Sequence, residues 1–148
     1  MGMGDKITAQ PIGYSGTPLA KKLGIKPGFN ISLVNAPERY FNLFTDLPAD
    51  LKINIGSSGP KDFVHFFTRQ KDEYTRILPD LKSQIKPNGM IWISWPKKAS
   101  KVVTDITEDI IRNFALQNGL VDIKVCAVDE IWSGLKLVIP VAEGSLLS

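Results

Sequence analysis

One cysteine and one histidine are all that 148 residues hold of the two side chains most used for metal binding and nucleophilic catalysis. Cys126 therefore has no intrachain disulfide partner. A zinc site of the common kind needs three or four nitrogen or sulfur ligands and cannot be assembled. Charge of one sign is scarce too: 18 lysines and arginines against 15 carboxylates leave a net charge of +3. The two signs are mixed along the chain, so no basic stripe marks a nucleic-acid partner. No apolar run approaches the roughly 18 residues that span a bilayer. No charged-then-apolar leader opens the chain, and Lys6 stands where a myristoylation motif requires serine or threonine. The expectation is a cytoplasmic protein with neither a nucleic-acid nor a membrane partner. A phosphate-binding P-loop is missing as well, and no nucleophile has a base at a recognisable spacing.

What remains is an ordinary globular composition, 43% hydrophobic and 22% charged, in one domain's worth of chain. In TPLAKKLG (17–24), Thr17 suits an N-cap, Pro18 the first helical position and Gly24 the terminator. The turn Pro27–Gly28 precedes a short strand from Ile31 to Val34. Pro37 opens a further helix, with Tyr40, Phe41 and Phe44 facing a core. LKINIG (51–56) alternates apolar and polar residues as a strand with one polar face. DFVHFF (62–67) is apolar on both faces, as a central parallel strand is. The spacing of Tyr74, Ile77, Leu78, Leu81 and Ile85 predicts a helix over 70–85 that Pro79 kinks or restarts. MIWISW (90–95) is a second doubly buried strand. Asp105 and Glu108 suggest a capping box for a helix with Ile106, Ile110 and Phe114 on one face, ended by Asn118–Gly119. VDIKVCAVDE and GLKLVIPV, separated by IWS, pair as a closing hairpin.

This order predicts an α/β fold: a three-layer, mostly parallel sheet of about six strands with a C-terminal antiparallel hairpin. DFVHFF and MIWISW are expected side by side near its centre. Residues 1–13 are expected to form a mobile arm, 14–140 a single domain and 141–148 a frayed tail.

IKPNGMIWISWP (85–96) resembles the fifth strand of class I methyltransferases, where a Lys-Pro-Gly-Gly-type turn leads into a strand. DFVHFF, the helix after it and the closing hairpin match the second half of that Rossmann-like fold. IKPGFNISLVN (25–35) resembles the approach to its first strand. YSGTPLAKKLGIKPG, SWPKKASKVVTDITEDIIR and VCAVDEIWSGLKLVI resemble more closely a family of small bacterial proteins classed as a domain of unknown function. That resemblance runs over residues 14–139 and implies no activity. The methyltransferase resemblance implies a scaffold for S-adenosylmethionine, and the sequence departs from it where the cofactor would sit. Those enzymes follow strand one with a glycine-rich turn, because glycine lets the backbone approach the cofactor. Here the turn is Asn35-Ala36-Pro37-Glu38-Arg39. They place an acidic residue after strand two for the ribose hydroxyls, whereas here that end is Ile55-Gly56-Ser57-Ser58. No room is left before DFVHFF for the family's third strand. Neither S-adenosylmethionine nor any other cofactor is expected.

Open sheets bind ligands beyond the carboxyl ends of their strands, where strand order reverses. That rule selects Asn35 and Arg69 after two of the strands, with Tyr14 folding over the same edge. Lys97, Lys98 and Lys101 after MIWISW form either a cationic lip for a small anionic ligand or a solvated loop. Ser94 and Trp95 offer a hydroxyl and a stacking surface, with Trp95 equally suited to the core. Asp129 and Glu130 offer an acid–base pair or simply form a turn. Trp132 packs, or stands exposed as an anchor for a protein partner. His65, mid-strand among aromatics, suits a hydrogen-bonded core histidine better than a catalytic base. The leading functional expectation is a noncatalytic binding or regulatory module on a reduced methyltransferase-like scaffold. A divergent transferase acting on an anionic substrate and a protein-interaction subunit are the alternatives.

Overall fold

The computed structural model describes residues 16–53 and 59–141. The expected arm (1–13), Tyr14, the end of the LKINIG strand with its Ile55–Ser58 turn, and residues 142–148 of the tail lie outside the described residues. The first helix, α1, spans Leu19–Leu23 and buries Leu19, Ala20 and Leu23. Gly24 ends it at φ 84°, a left-handed geometry that favours glycine. Pro18 takes the N-cap position and has no side-chain acceptor to cap with. The carboxylate of Asp46, 26 residues on, instead accepts from the backbone N–H of Ala20 (3.0 Å) and of Lys21 (3.1 Å), filling the orphan donors of a helix start.

Six strands follow: β1 Asn30–Val34, β2 Lys52–Ile53, β3 Lys61–Phe67, β4 Ile85–Pro96, β5 Val121–Ala127 and β6 Trp132–Val138. They form one sheet in the order β2-β1-β3-β4-β6-β5. β2, β1, β3 and β4 run parallel, and β6 is antiparallel to both β4 and β5. DFVHFF and MIWISW are adjacent and parallel at the centre, as their double burial implied. The chain steps from β1 outward to β2, then returns to the other side of β1 for β3. Strand order therefore reverses between β1 and β3.

Helices α2 (Lys71–Gln84) and α3 (Glu108–Gln117) cover one face. Tyr74, Leu78, Ile111 and Ala115 pack there against Phe66, Ile91, Ile93 and Leu135. α2 continues through Pro79 without restarting. On the other face, Leu19 and Leu23 of α1 pack with Phe63, Trp92 and Val128. The result is the expected three-layer, mostly parallel α/β sheet.

Two local expectations need correction. The helix expected after Pro37 is only a four-residue 3-10 turn, Tyr40–Leu43. Asp46 is drawn off to cap α1, and Pro48 disfavours helix at the residue before it, so one turn fits. Tyr40 is buried there, whereas Phe41 remains 43% exposed. The capping box at Asp105 does not form either. Thr107 caps α3 by accepting from the N–H of Ile110. Asp105 lies too far upstream of α3 and accepts from the N–H of Lys71 at 2.7 Å, serving the start of α2.

Gly134 on β6 makes a close approach with a testable consequence. A β-carbon there would meet Trp92 Cε3 at 3.0 Å and Val128 Cγ2 at 3.2 Å. Gly134→Ala is expected to lower stability by about 1–3 kcal/mol through overpacking, measured by urea denaturation.

Candidate functional site

At the reversal of strand order a crevice of about 380 Å³ opens beyond the carboxyl ends of β1 and β3. β1 delivers Asn35, β3 delivers Phe67 to Arg69, the first turn of α2 delivers Glu73, and β6 begins there with Trp132. Asn35 sits at φ 59°, a left-handed conformation that asparagine tolerates better than most side chains. In that position its Nδ2 donates to Glu73 Oε2 at 3.1 Å. The Thr68 hydroxyl donates to the other oxygen, Glu73 Oε1, at 2.6 Å. Glu73 thus ties β1, β3 and α2 together across the mouth, with both oxygens engaged. The guanidinium of Arg69 is exposed beside it, and among the described residues it forms no ion pair.

Beneath the crevice lies a polar network inside the aromatic core. His65 and Ser94 are both fully buried. The Tyr40 hydroxyl lies 3.0 Å from His65 Nδ1, and His65 Nε2 lies 2.7 Å from the Ser94 hydroxyl. Either ring tautomer is satisfied, since each hydroxyl can donate or accept. Phe67 stacks on the imidazole with centroids 4.2 Å apart, and Tyr40 meets both rings edge-on. Burial pushes the His65 pKa down to about 3 and the Tyr40 phenol well above its ordinary value. The imidazole is therefore neutral at physiological pH, and none of it reaches solvent.

The selected site residues divide into distinct places. Asn35, Arg69 and Trp132 meet in the crevice. Asp129 and Glu130 line a separate apolar pocket beside the β5–β6 turn. Asp129 Oδ1 accepts from the N–H groups of Ile131 (2.8 Å) and Trp132 (2.7 Å), as a turn-forming aspartate does. Ser94 and Trp95 belong to the core. Lys98 and Lys101 are exposed and Lys97 is half-buried; none of the three lines either cavity. Burial raises the Cys126 thiol pKa, against the opposing pull of Lys22 and Lys124, so the only cysteine is not an activated nucleophile. The sequence reading passed over Glu73, and it placed Tyr40 in the core without its bond to His65. Glu73 carried a signal of sorts, an acid in the first helical turn after a strand, but its partners come from 5 and 38 residues away.

No family model matches the chain, and no curated protein matches it. The bacterial family resembled in sequence therefore gains no support from a family model. Solved structures do match. One is a precorrin-6y C5,15-methyltransferase from Geobacter metallireducens GS-15, with TM-score 0.56 and 8% identity over 82% of this chain and 86% of that one. Another is the magnesium protoporphyrin IX methyltransferase of Synechocystis PCC 6803 with bound S-adenosylmethionine, at TM-score 0.55 and 10% identity over 82% and 74%. A third is the fibrillarin of Methanococcus jannaschii, a pre-rRNA processing protein, at TM-score 0.53 and 10% identity over 77% and 67%. At such identities the likeness establishes the methyltransferase-like, Rossmann-like fold and nothing finer.

Among the described residues, the turn after β1 departs from the glycine-rich approach that the methyltransferase resemblance implies. Where the methyltransferases carry a glycine-rich turn, this chain has Asn35, locked onto Glu73. A 3-10 turn follows β1 in place of a helix; the helix that starts at the crevice is α2, whose first turn brings Glu73 there. No helix among the described residues is long and apolar enough to cross a membrane.

Proposed function

We propose that the protein is a noncatalytic binding or regulatory module that holds a small anion in the crevice at the strand-order reversal. One observation carries this reading: among the described residues, Arg69 is an exposed cation without an ion-pair partner, and Glu73, the only carboxylate lining the crevice, has both oxygens occupied. The guanidinium presents a fork suited to a carboxylate or phosphate, and the half-buried Trp132 also lines the crevice. The noncatalytic part of the reading rests on sealed chemistry, since His65 and Ser94 are buried and partnered.

Trp132 supplies the readout, because Trp92 is fully buried and Trp95 only 8% exposed. Titration with inorganic phosphate or citrate is expected to change tryptophan fluorescence saturably, and less so as salt rises. Arg69→Ala is expected to weaken the response roughly 10- to 100-fold, the worth of a charged hydrogen bond of about 1.5–3 kcal/mol. Its melting temperature should stay nearly unchanged, as for exposed substitutions within about 0.5 kcal/mol. A wild type without a saturable response, or an Arg69→Ala response equal to it, would refute the assignment.

A further inference from the structure

A second cavity, of about 390 Å³, lies between α1, the segment after the 3-10 turn and the β5–β6 hairpin. That volume falls within the roughly 300–1,000 Å³ of small-molecule sites. Its lining is mainly apolar, from Pro18, Leu19, Leu43, Val128 and Ile131, with the ammonium-bearing Lys22 among the walls. It is a pocket open to solvent on one side, not a void in the interior. Here each wall is pinned by polar bonds that keep it from collapsing inward. α1 is held at its start by Asp46 on the N–H groups of Ala20 and Lys21. At its end, Lys22 Nζ donates to the carbonyl of Ala127 at 3.1 Å, and Lys124 Nζ donates to the carbonyl of Lys22 at 3.0 Å. The hairpin turn is fixed by Asp129 from within, and from outside by the Lys97 N–H on the Ile131 carbonyl at 2.7 Å. The cavity is preformed, so a ligand meets little reorganisation.

We infer that this cavity is a second binding site, and that its ligand is an apolar monocarboxylate, a medium-chain acyl or aryl acid with its carboxylate on Lys22. The apolar walls take the hydrocarbon. Lys22 spends one of its three donors on Ala127 and keeps two for an anion. Asp129 and Glu130 also border the cavity; their charge opposes any anion, a multivalent one most, so the proposed ligand carries one carboxylate and places it at Lys22. The site stands apart from the Arg69 crevice and does not depend on an anion binding there.

Calorimetric titration of the full chain with hexanoate, octanoate, decanoate and decanol tests it. One saturable site is expected, with affinity rising about fourfold per methylene, equivalent to about 0.8 kcal/mol, until the cavity is full. Decanol should bind at least tenfold more weakly than decanoate. Lys22→Met should erase that acid–alcohol difference and keep the chain-length gradient. Leu43→Trp, which fills the cavity, should abolish the gradient; Ile131→Trp serves the same purpose should the first variant not fold. In the wild type, the methyl resonances of Leu19, Leu43 and Ile131 should shift with decanoate, a readout independent of any variant. Arg69→Ala should leave decanoate binding unchanged. A wild type that binds none of the acids, equal affinities for all three, or decanoate binding lost in Arg69→Ala but kept in Lys22→Met would overturn the proposal.

Discussion

Trp92→Ala is expected to destabilise the protein by about 3–5 kcal/mol, the range for emptying a large aromatic site in a core. Trp92 lies on the central strand β4, fully buried among Leu19, Leu23, Phe63 and Val128. Its Nε1 donates to the carbonyl of Leu23 at 2.9 Å, so the substitution opens a cavity and frees the last carbonyl of α1 together. A five-residue helix has little stability of its own, and α1 stays in place chiefly through this packing and the Asp46 cap. Urea denaturation should show a lower midpoint. Gly134→Ala should cost less in the Trp92→Ala background than in the wild type, because the ring it crowds is gone, and a double-mutant cycle measures that coupling. A Trp92→Ala loss below about 1 kcal/mol would mean that α1 does not depend on this side chain.

Lowering the pH from about 6.5 should destabilise the fold through His65 alone, beyond whatever the carboxylates contribute. Burial holds its folded pKa at about 3, below the ordinary value of about 6.5 expected in the unfolded chain. Between those values the unfolded state binds a proton that the folded state refuses. Stability is therefore complete above about pH 6.5 and is lost as pH falls toward 3, by up to about 1.4 kcal/mol per pH unit. His65→Gln should be less stable at neutral pH, because Tyr40 and Ser94 lose a shaped partner and each unpaired buried group costs about 1–3 kcal/mol. Its stability should also fall less steeply below pH 6.5. The chain contains one histidine, so its imidazole proton resonances are unambiguous, and they should not titrate between pH 5 and 8. A midpoint near 6.5 would show that the ring is solvated.

The elements that were legible in the sequence are those whose pattern is local. DFVHFF and MIWISW are apolar on both faces because each has a parallel neighbour and is covered above and below, and that double burial fixed their central place. The closing hairpin was legible from two apolar runs flanking a short turn. Contacts made at long range left no such trace. Asp105 looked like a local cap yet serves the start of α2, and Asp46, which had no local signal, caps α1. Ser94 looked like a rim hydroxyl because it precedes Trp95 and Pro96 at a strand end. It is buried because β6 pairs with β4 as far as Pro96, which carries the sheet beyond it. The Tyr40–His65–Ser94 network joins a 3-10 turn to two strands, and no spacing in one segment encodes it. The rule of strand-order reversal did place Asn35 and Arg69 at the crevice, because topology alone decides which strand ends diverge.

The fold is that of the methyltransferases, and the departures lie where their cofactor would sit. Asn35 replaces a glycine-rich approach and is tied to Glu73. Tyr40 packs against Phe67 and His65 from the 3-10 turn that follows β1. Calorimetric titration of the protein with S-adenosylmethionine tests this claim most directly. The expected result is no saturable heat at micromolar to low millimolar ligand, in the same preparation that responds to phosphate through Trp132. A one-to-one isotherm with micromolar affinity would contradict it and make the crevice a cofactor site.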